Sequence, residues 1–114
     1  MSANIHAPLV QTNGLSIPAF GLGTFRNEGD DCIRSVEHAI KCGYRHIDTA
    51  RMYGNEGECG EGIRASGVKR NEIFVTTKVL HGAEWDNSAV NTVLPAIEDS
   101  LKRLQMDYVD LLLI

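Results

Sequence analysis

With 114 residues, 43% of them hydrophobic and 23% charged, the chain has the composition of one globular domain, spanning residues 1–114, that can bury a real core. A formal net charge of −4 without any basic run excludes an electrostatic footprint for nucleic acid or for an anionic membrane surface, and no apolar run approaches the ~20 residues of a membrane span. Cys32, Cys42 and Cys59 are odd in number and form no CxxC pair, which favours reduced thiols. No Cys/His spacing suggests a metal, and the first residues lack a secretory signal, so a cytoplasmic protein is expected.

In chain order, Leu9–Thr12, Asn13-Gly14 and Leu15–Pro18 read as a hairpin, since Asn-Gly accepts the positive φ values of a type I′ turn. Ala19–Gly23 reads as a short strand ending in glycines. From Asp30 to Cys42 the apolar residues Ile33, Val36, Ala39 and Ile40 recur at helical spacing. Asp30 or Asp31 is placed to cap that helix and Gly43 to end it.

Tyr44–Thr49 is a strand. Asn55–Ser66 is a second helix stopped by Gly67; with Gly57, Gly60 and Gly62 inside it, close packing must hold it together. Ile73–Val79 is a strand by its β-branched density. A third helix spans Asn87–Leu104, with a kink or break expected near Asn91 because of Pro95, and with Asp99 and Arg103 spaced to pair. Tyr108–Ile114 is almost continuously apolar, the pattern of a parallel strand covered on both faces.

A hairpin followed by β-α-β-α-β-α-β predicts a parallel sheet. Four such strands with helices on one side leave an uncovered face and two open edges, and an eight-stranded barrel needs ~250 residues. Three arrangements satisfy this: part of a larger barrel, two copies closing one barrel, or a doubly wound sheet.

Chemistry in parallel α/β folds gathers at the carboxyl ends of the strands. Alternation puts Tyr44, His46 and Asp48 on one face, and Phe74, Thr76 and Lys78 on one face of the next strand. Asp48 and Lys78 can therefore point into one mouth, with Tyr53 on the loop above. An ammonium within about 4 Å of a phenol stabilises the phenolate by up to ~4 kcal/mol at an effective dielectric of 20, which makes the phenol a usable acid. Hydride has no side-chain source, so a reduction needs a nicotinamide cofactor. The bland reading is a structural ion pair between Asp48 and Lys78. Gly21-Leu22-Gly23 is too short for a dinucleotide fingerprint, His46 is expected to pack within the strand layer, and Trp85 either lines a pocket or covers the barrel top.

Three stretches resemble the aldo-keto reductase family: Gly43–Ala50 (GYRHIDTA) continuing to Tyr53-Gly54-Asn55-Glu56, Phe74–Val79 (FVTTKV), and Ser100–Leu111 (SLKRLQMDYVDL). The likeness runs in order from Leu9 to Ile114 and is of the bacterial 2,5-diketo-gluconate reductase type. It implies a parallel (β/α)₈ TIM barrel, of which this chain supplies the hairpin and about the first four strands and three helices. It also implies NADPH-dependent (NADH is possible) reduction of a small-molecule carbonyl to an alcohol, by a protein that is monomeric when full length.

Position by position, Tyr53 resembles the proton donor, Lys78 the cation that eases its proton loss, and Asp48 their acidic partner. Gly23 and Thr24, with Asp48 and Lys78, resemble cofactor contacts; Phe25, Tyr53, Leu80 and Trp85 fall in the substrate pocket. Phe25 and Leu80 stand where many members have Trp, so the resemblance fixes the reaction type and not the substrate class. The histidine that members carry after the strand ending here at Ile114 is absent, as is most of the cofactor site, and the chain alone is expected to be inactive. A non-catalytic binding or structural protein on the same scaffold, or a half-barrel that dimerises, are the alternatives.

Overall fold

The computed structural model describes residues 9–79 and 93–114, with side chains from Asn13 onward. Strands β1 (Leu9–Thr12) and β2 (Leu15–Pro18) form an antiparallel hairpin in which Thr12 faces Leu15. Asn13 and Gly14 have φ of 49° and 78°, the pair of positive values that a type I′ turn demands.

The remainder alternates β3 (Leu22–Gly23), α1 (Gly29–Lys41), β4 (His46–Asp48), α2 (Glu56–Ala65), β5 (Phe74–Lys78), α3 (Val93–Leu104) and β6 (Leu111–Leu113). The four later strands lie side by side in chain order, all parallel. Their order shows no reversal, and a doubly wound sheet requires one.

The core confirms a one-sided arrangement. Cys32, Val36 and Ile40 of α1, Cys59 and Ile63 of α2, and Leu104 of α3 pack on Ile47 of β4 and Val75 of β5. The other face of the same strands carries His46, Asp48, Phe74, Thr76 and Lys78. There His46 Nε2 lies 2.9 Å from Thr76 Oγ1, and its ring meets Phe74 edge-on at 4.9 Å. Helices outside and polar chemistry inside are the layout of a barrel sector.

The glycines of α2 show how that helix survives its poor propensity. A Cβ on Gly60 would sit 2.3 Å from the Leu104 carbonyl oxygen, and one on Gly62 would sit 2.7 Å from that of Ile33. Bare backbone lets α2 lie flush against α3 on one side and α1 on the other, and tertiary packing outweighs the ~1 kcal/mol per glycine that propensity costs.

Several sequence expectations need correcting. The strands are shorter than their apolar runs, though single backbone bonds such as Thr49 N to Thr76 O and Val79 N to Leu113 O continue the pairing past their ends. Neither Asp30 nor Asp31 caps α1: the N-cap is Glu28, and both aspartates lie in the first turn, where negative charge still suits the helix dipole. Arg103 reaches Glu56 of α2 and not Asp99. Strand β6 is not covered on both faces: Leu113 and Ile114 are 42% and 74% exposed. Asp110, expected within the strand, forms an anchor before it, accepting from Val75 N and Arg70 Nη2. The kink predicted near Asn91 falls outside the described residues. No helix among the described residues is long and apolar enough to cross a membrane.

Candidate active site

Parallel register brings the predicted residues together at the carboxyl ends of the strands. Gly23 is level with Asp48 and Asp48 with Thr76, two residues before Lys78. After β4 the chain makes a 3₁₀ turn, Arg51–Tyr53, ended by Gly54 at φ 70°, and this turn swings Tyr53 back over the strand ends.

Lys78 Nζ is the hub. It donates to Asp48 Oδ1 in an ion pair, to the Thr49 carbonyl oxygen at 3.0 Å, and to Tyr53 Oη at 3.4 Å. It also lies 5.2 Å from the centre of the Tyr53 ring, within cation–π range. Burial pulls the ammonium's pKa down, but the hydrogen bond and negative charge of Asp48 more than reverse this, and the net shift is upward from 10.5. Lys78 therefore keeps its positive charge through the neutral range, held against a phenol.

The phenol also packs against an aromatic ring. Phe25 lies with its ring centre 5.1 Å from that of Tyr53, tilted by 53°, and Arg26 stacks 5.2 Å from the Phe25 centre. A pocket of about 500 Å³ opens beside Tyr53 and Lys78, bordered by Met52, Val79, Leu113 and Ile114. The arrangement has a phenolic hydroxyl, a cation beside it and an apolar recess next to both. It can donate a proton to a small polar group bound in that recess.

The other predicted residues divide. Phe25 is 61% exposed and touches Tyr53, and it borders the phenol more than the recess itself. Space above Gly23 is open, since a Cβ there would meet no atom within 4 Å. Thr24 is fully buried, its hydroxyl turned towards Asp48 O and Asn55 Oδ1, so its side chain offers no surface to a ligand. Leu80 and Trp85 lie outside the described residues.

Sequence reasoning passed over two residues of the same constellation. Asn55, 1% exposed, donates from Nδ2 to the carbonyls of Thr24 and Asn27 at 2.7 and 2.8 Å, and its Oδ1 accepts from Thr49 at 3.0 Å. It fixes the loop that carries Phe25 and Arg26. Glu56, also 1% exposed, joins Thr77, Ser100 and Arg103. Both are visible in the sequence, at the start of the second helix and within the Tyr53-Gly54-Asn55-Glu56 stretch that resembles the family, but neither position carries a local signal for the buried bonds it makes.

Comparison with known proteins now bears on this geometry. Residues 19–114 match the sequence pattern of the aldo/keto reductase family. The chain belongs to that family. Among curated relatives, this reductase-family chain is 48% identical over 101 residues to methylglyoxal reductase DkgB of Salmonella typhi. It is 50% identical over 103 residues to glyoxal reductase of Bacillus subtilis. These matches cover 88% and 90% of the chain, but it spans only 36% of either relative's length.

Solved structures agree. An aldo/keto reductase from Brucella melitensis superposes with a TM-score of 0.84 at 44% identity, over 94% of this chain and 40% of that one. A Bombyx mori aldo-keto reductase in complex with NADP gives 0.83 at 44% identity, over 96% and 38%. The fold is thus the N-terminal sector of an aldo-keto reductase (β/α)₈ barrel, and the resemblance read from the sequence holds.

Proposed function

We propose that residues 1–114 form a single domain segment of an NADPH-dependent reductase of small aldehydes and ketones, in which Tyr53 is the general acid. The observation that carries this reading is the position of Lys78 Nζ between Asp48 Oδ1 and Tyr53 Oη at the strand ends. The names of the relatives, methylglyoxal and glyoxal reductases, support a small carbonyl as substrate, and the NADP-bound neighbour supports the cofactor.

The residues present fit a nicotinamide. The open face over Gly23, level with Asp48 and lacking any Cβ, leaves room for a flat ring against the backbone. Gly23, Asp48 and Lys78 would border it; Thr24 would act through its backbone and by holding the loop. When bound, the cofactor supplies hydride to the carbonyl carbon.

This chain's own residues manage the proton. Tyr53 Oη hydrogen-bonds the carbonyl oxygen and delivers its proton as that oxygen gains charge. Lys78 stabilises the phenolate left behind, and Asp48 keeps the ammonium charged and aimed. The apolar border of the pocket, Met52, Val79 and Leu113, offers contact to the carbon part of a small carbonyl.

The test is Tyr53→Phe in the full-length reductase, with methylglyoxal as substrate. Loss of a positioned acid removes about 10²–10⁴-fold in kcat, while NADPH binding, followed by quenching of cofactor fluorescence, should stay within about twofold. Turnover within tenfold of wild type would remove Tyr53 from the chemistry. NADPH binding by the wild-type protein with no turnover of any carbonyl would instead indicate a binding role.

A further inference from the structure

The phenol and the ammonium are joined a second time, on the opposite face of the sheet. Thr77 and Lys78 are consecutive in β5, so their side chains project to opposite faces. Lys78 meets Tyr53 on the inner face. On the outer face Thr77 Oγ1 donates a 2.6 Å hydrogen bond to Glu56 Oε2, and Glu56 lies three residues past Tyr53. The two segments that carry the proposed acid and its cation are therefore closed into a small ring: Tyr53 to Glu56 along the chain, Glu56 to Thr77, Thr77 to Lys78 along the chain, and Lys78 back to Tyr53.

The outer bond is the firmer of the two. It is short, charge-assisted and sealed from water, since Glu56 and Thr77 are both 1% exposed. The inner contact, at 3.4 Å, is longer and borders the open pocket. The other oxygen of the carboxylate accepts from Ser100 Oγ at 3.2 Å and Arg103 Nε at 2.9 Å, which prevents Glu56 from turning away.

We infer that Glu56 is a positioning residue for the proton transfer: through the Thr77 hydroxyl it sets the separation between Tyr53 and Lys78 from behind the sheet. The inference rests on the proposed role of Tyr53. The same carboxylate also ties α2 to α3, a purely structural service, and the two roles separate by arm: Thr77 serves positioning, and Ser100 serves the helix pair.

The experiment compares Thr77→Val, Thr77→Ser and Ser100→Ala in the full-length reductase, with Tyr53→Phe in parallel. Each is read by kcat, KM for methylglyoxal and for NADPH, solvent deuterium isotope effect and Tm. Misplacement of reacting groups by a fraction of an ångström to 1 Å costs about ten- to a hundredfold. Thr77→Val is therefore expected to lower kcat at least tenfold and to raise the isotope effect, with the KM for NADPH unchanged. Thr77→Ser, which keeps the hydroxyl, should return kcat to within about threefold. Ser100→Ala should lower Tm as much as Thr77→Val does, yet leave kcat and the isotope effect as in wild type.

Wild-type kinetics in Thr77→Val, or the same loss of kcat in Ser100→Ala, would overturn the inference. If Thr77→Val does not fold, Thr77→Ala, which also removes the hydroxyl, is judged by the same criteria. An active Tyr53→Phe would defeat the proposed function itself; an inactive Tyr53→Phe beside an unimpaired Thr77→Val would defeat only the clamp.

Discussion

Replacing Lys78 by methionine keeps the length and apolar stem of the side chain and removes only its charge and donors. Its ammonium lies 3.4 Å from the phenol oxygen. At an effective dielectric of 20, a full negative charge on that oxygen would gain about 5 kcal/mol from it, and a charge half developed in the transition state about half of that. With the side chain 30% exposed, solvent screens part of what is left. A net loss of about 2 kcal/mol in transition-state stabilisation corresponds to roughly a 30-fold fall in kcat. Single-turnover reduction of methylglyoxal, with NADPH absorbance followed after rapid mixing, isolates the chemical step from product release. Asp48→Asn should be milder, because the ammonium stays, only less firmly aimed. A single-turnover rate for Lys78→Met within threefold of wild type would mean that the phenol does not depend on the cation, and the acid assignment would lose its physical basis.

Three further outcomes follow from the same contacts. The net upward shift of Lys78, with burial opposing and Asp48 prevailing, means that its ion pair contributes stability below pH 10.5 and loses it as pH rises through the folded-state value. Urea unfolding should therefore show a steeper decline above pH 10.5 in wild type than in Lys78→Met. Burial pushes the Cys32 thiol up to about 12, Cys59 is raised by the same cause, and Cys42 is exposed, so native labelling at pH 8 should modify Cys42 alone, the other two reacting only in denaturant. Equal labelling of all three would contradict the core. Gly60→Ala and Gly62→Ala should each destabilise by about 1–3 kcal/mol, because the added Cβ meets backbone, whereas Gly57→Ala, with its nearest contact at 3.6 Å, should be neutral or stabilising by up to ~1 kcal/mol.

What could be seen in the sequence was what repeats with a local period. Alternation placed Asp48 and Lys78 on matching faces of neighbouring strands, and helical spacing located α1 and the end of α3, because those signals need only a few adjacent residues. The hairpin was legible from two letters, Asn13-Gly14, whose backbone preferences are specific. Element ends were less so: the apolar run through Tyr108–Ile114 says nothing of Arg70, which donates to the Tyr108 carbonyl and pairs with Asp110 before β6 begins. Thr24 illustrates the same limit, since a hydroxyl next to an open glycine looks available until Asn55, 31 residues later, is found bonded to it.

The proposed donor set also has an unusual economy of chain. Asp48, Tyr53 and Lys78 come from one β-turn-α-β stretch, and the residues that fix them, Asn55, Glu56 and Thr77, lie between the same bounds. Among the described residues, the Thr24–Asn27 loop reaches in from the N-terminal side, and Ser100 and Arg103 of α3 brace Glu56 without touching the pocket side. Proton donation thus depends on contacts close in sequence, whose loop-closure cost is small. The open recess, bordered by the exposed Leu113 and Ile114, is where further contacts must come from to grip a substrate. Under the proposed roles, this division of labour would let a barrel vary its carbonyl partner through distant loops while Tyr53 and Lys78 stay in register.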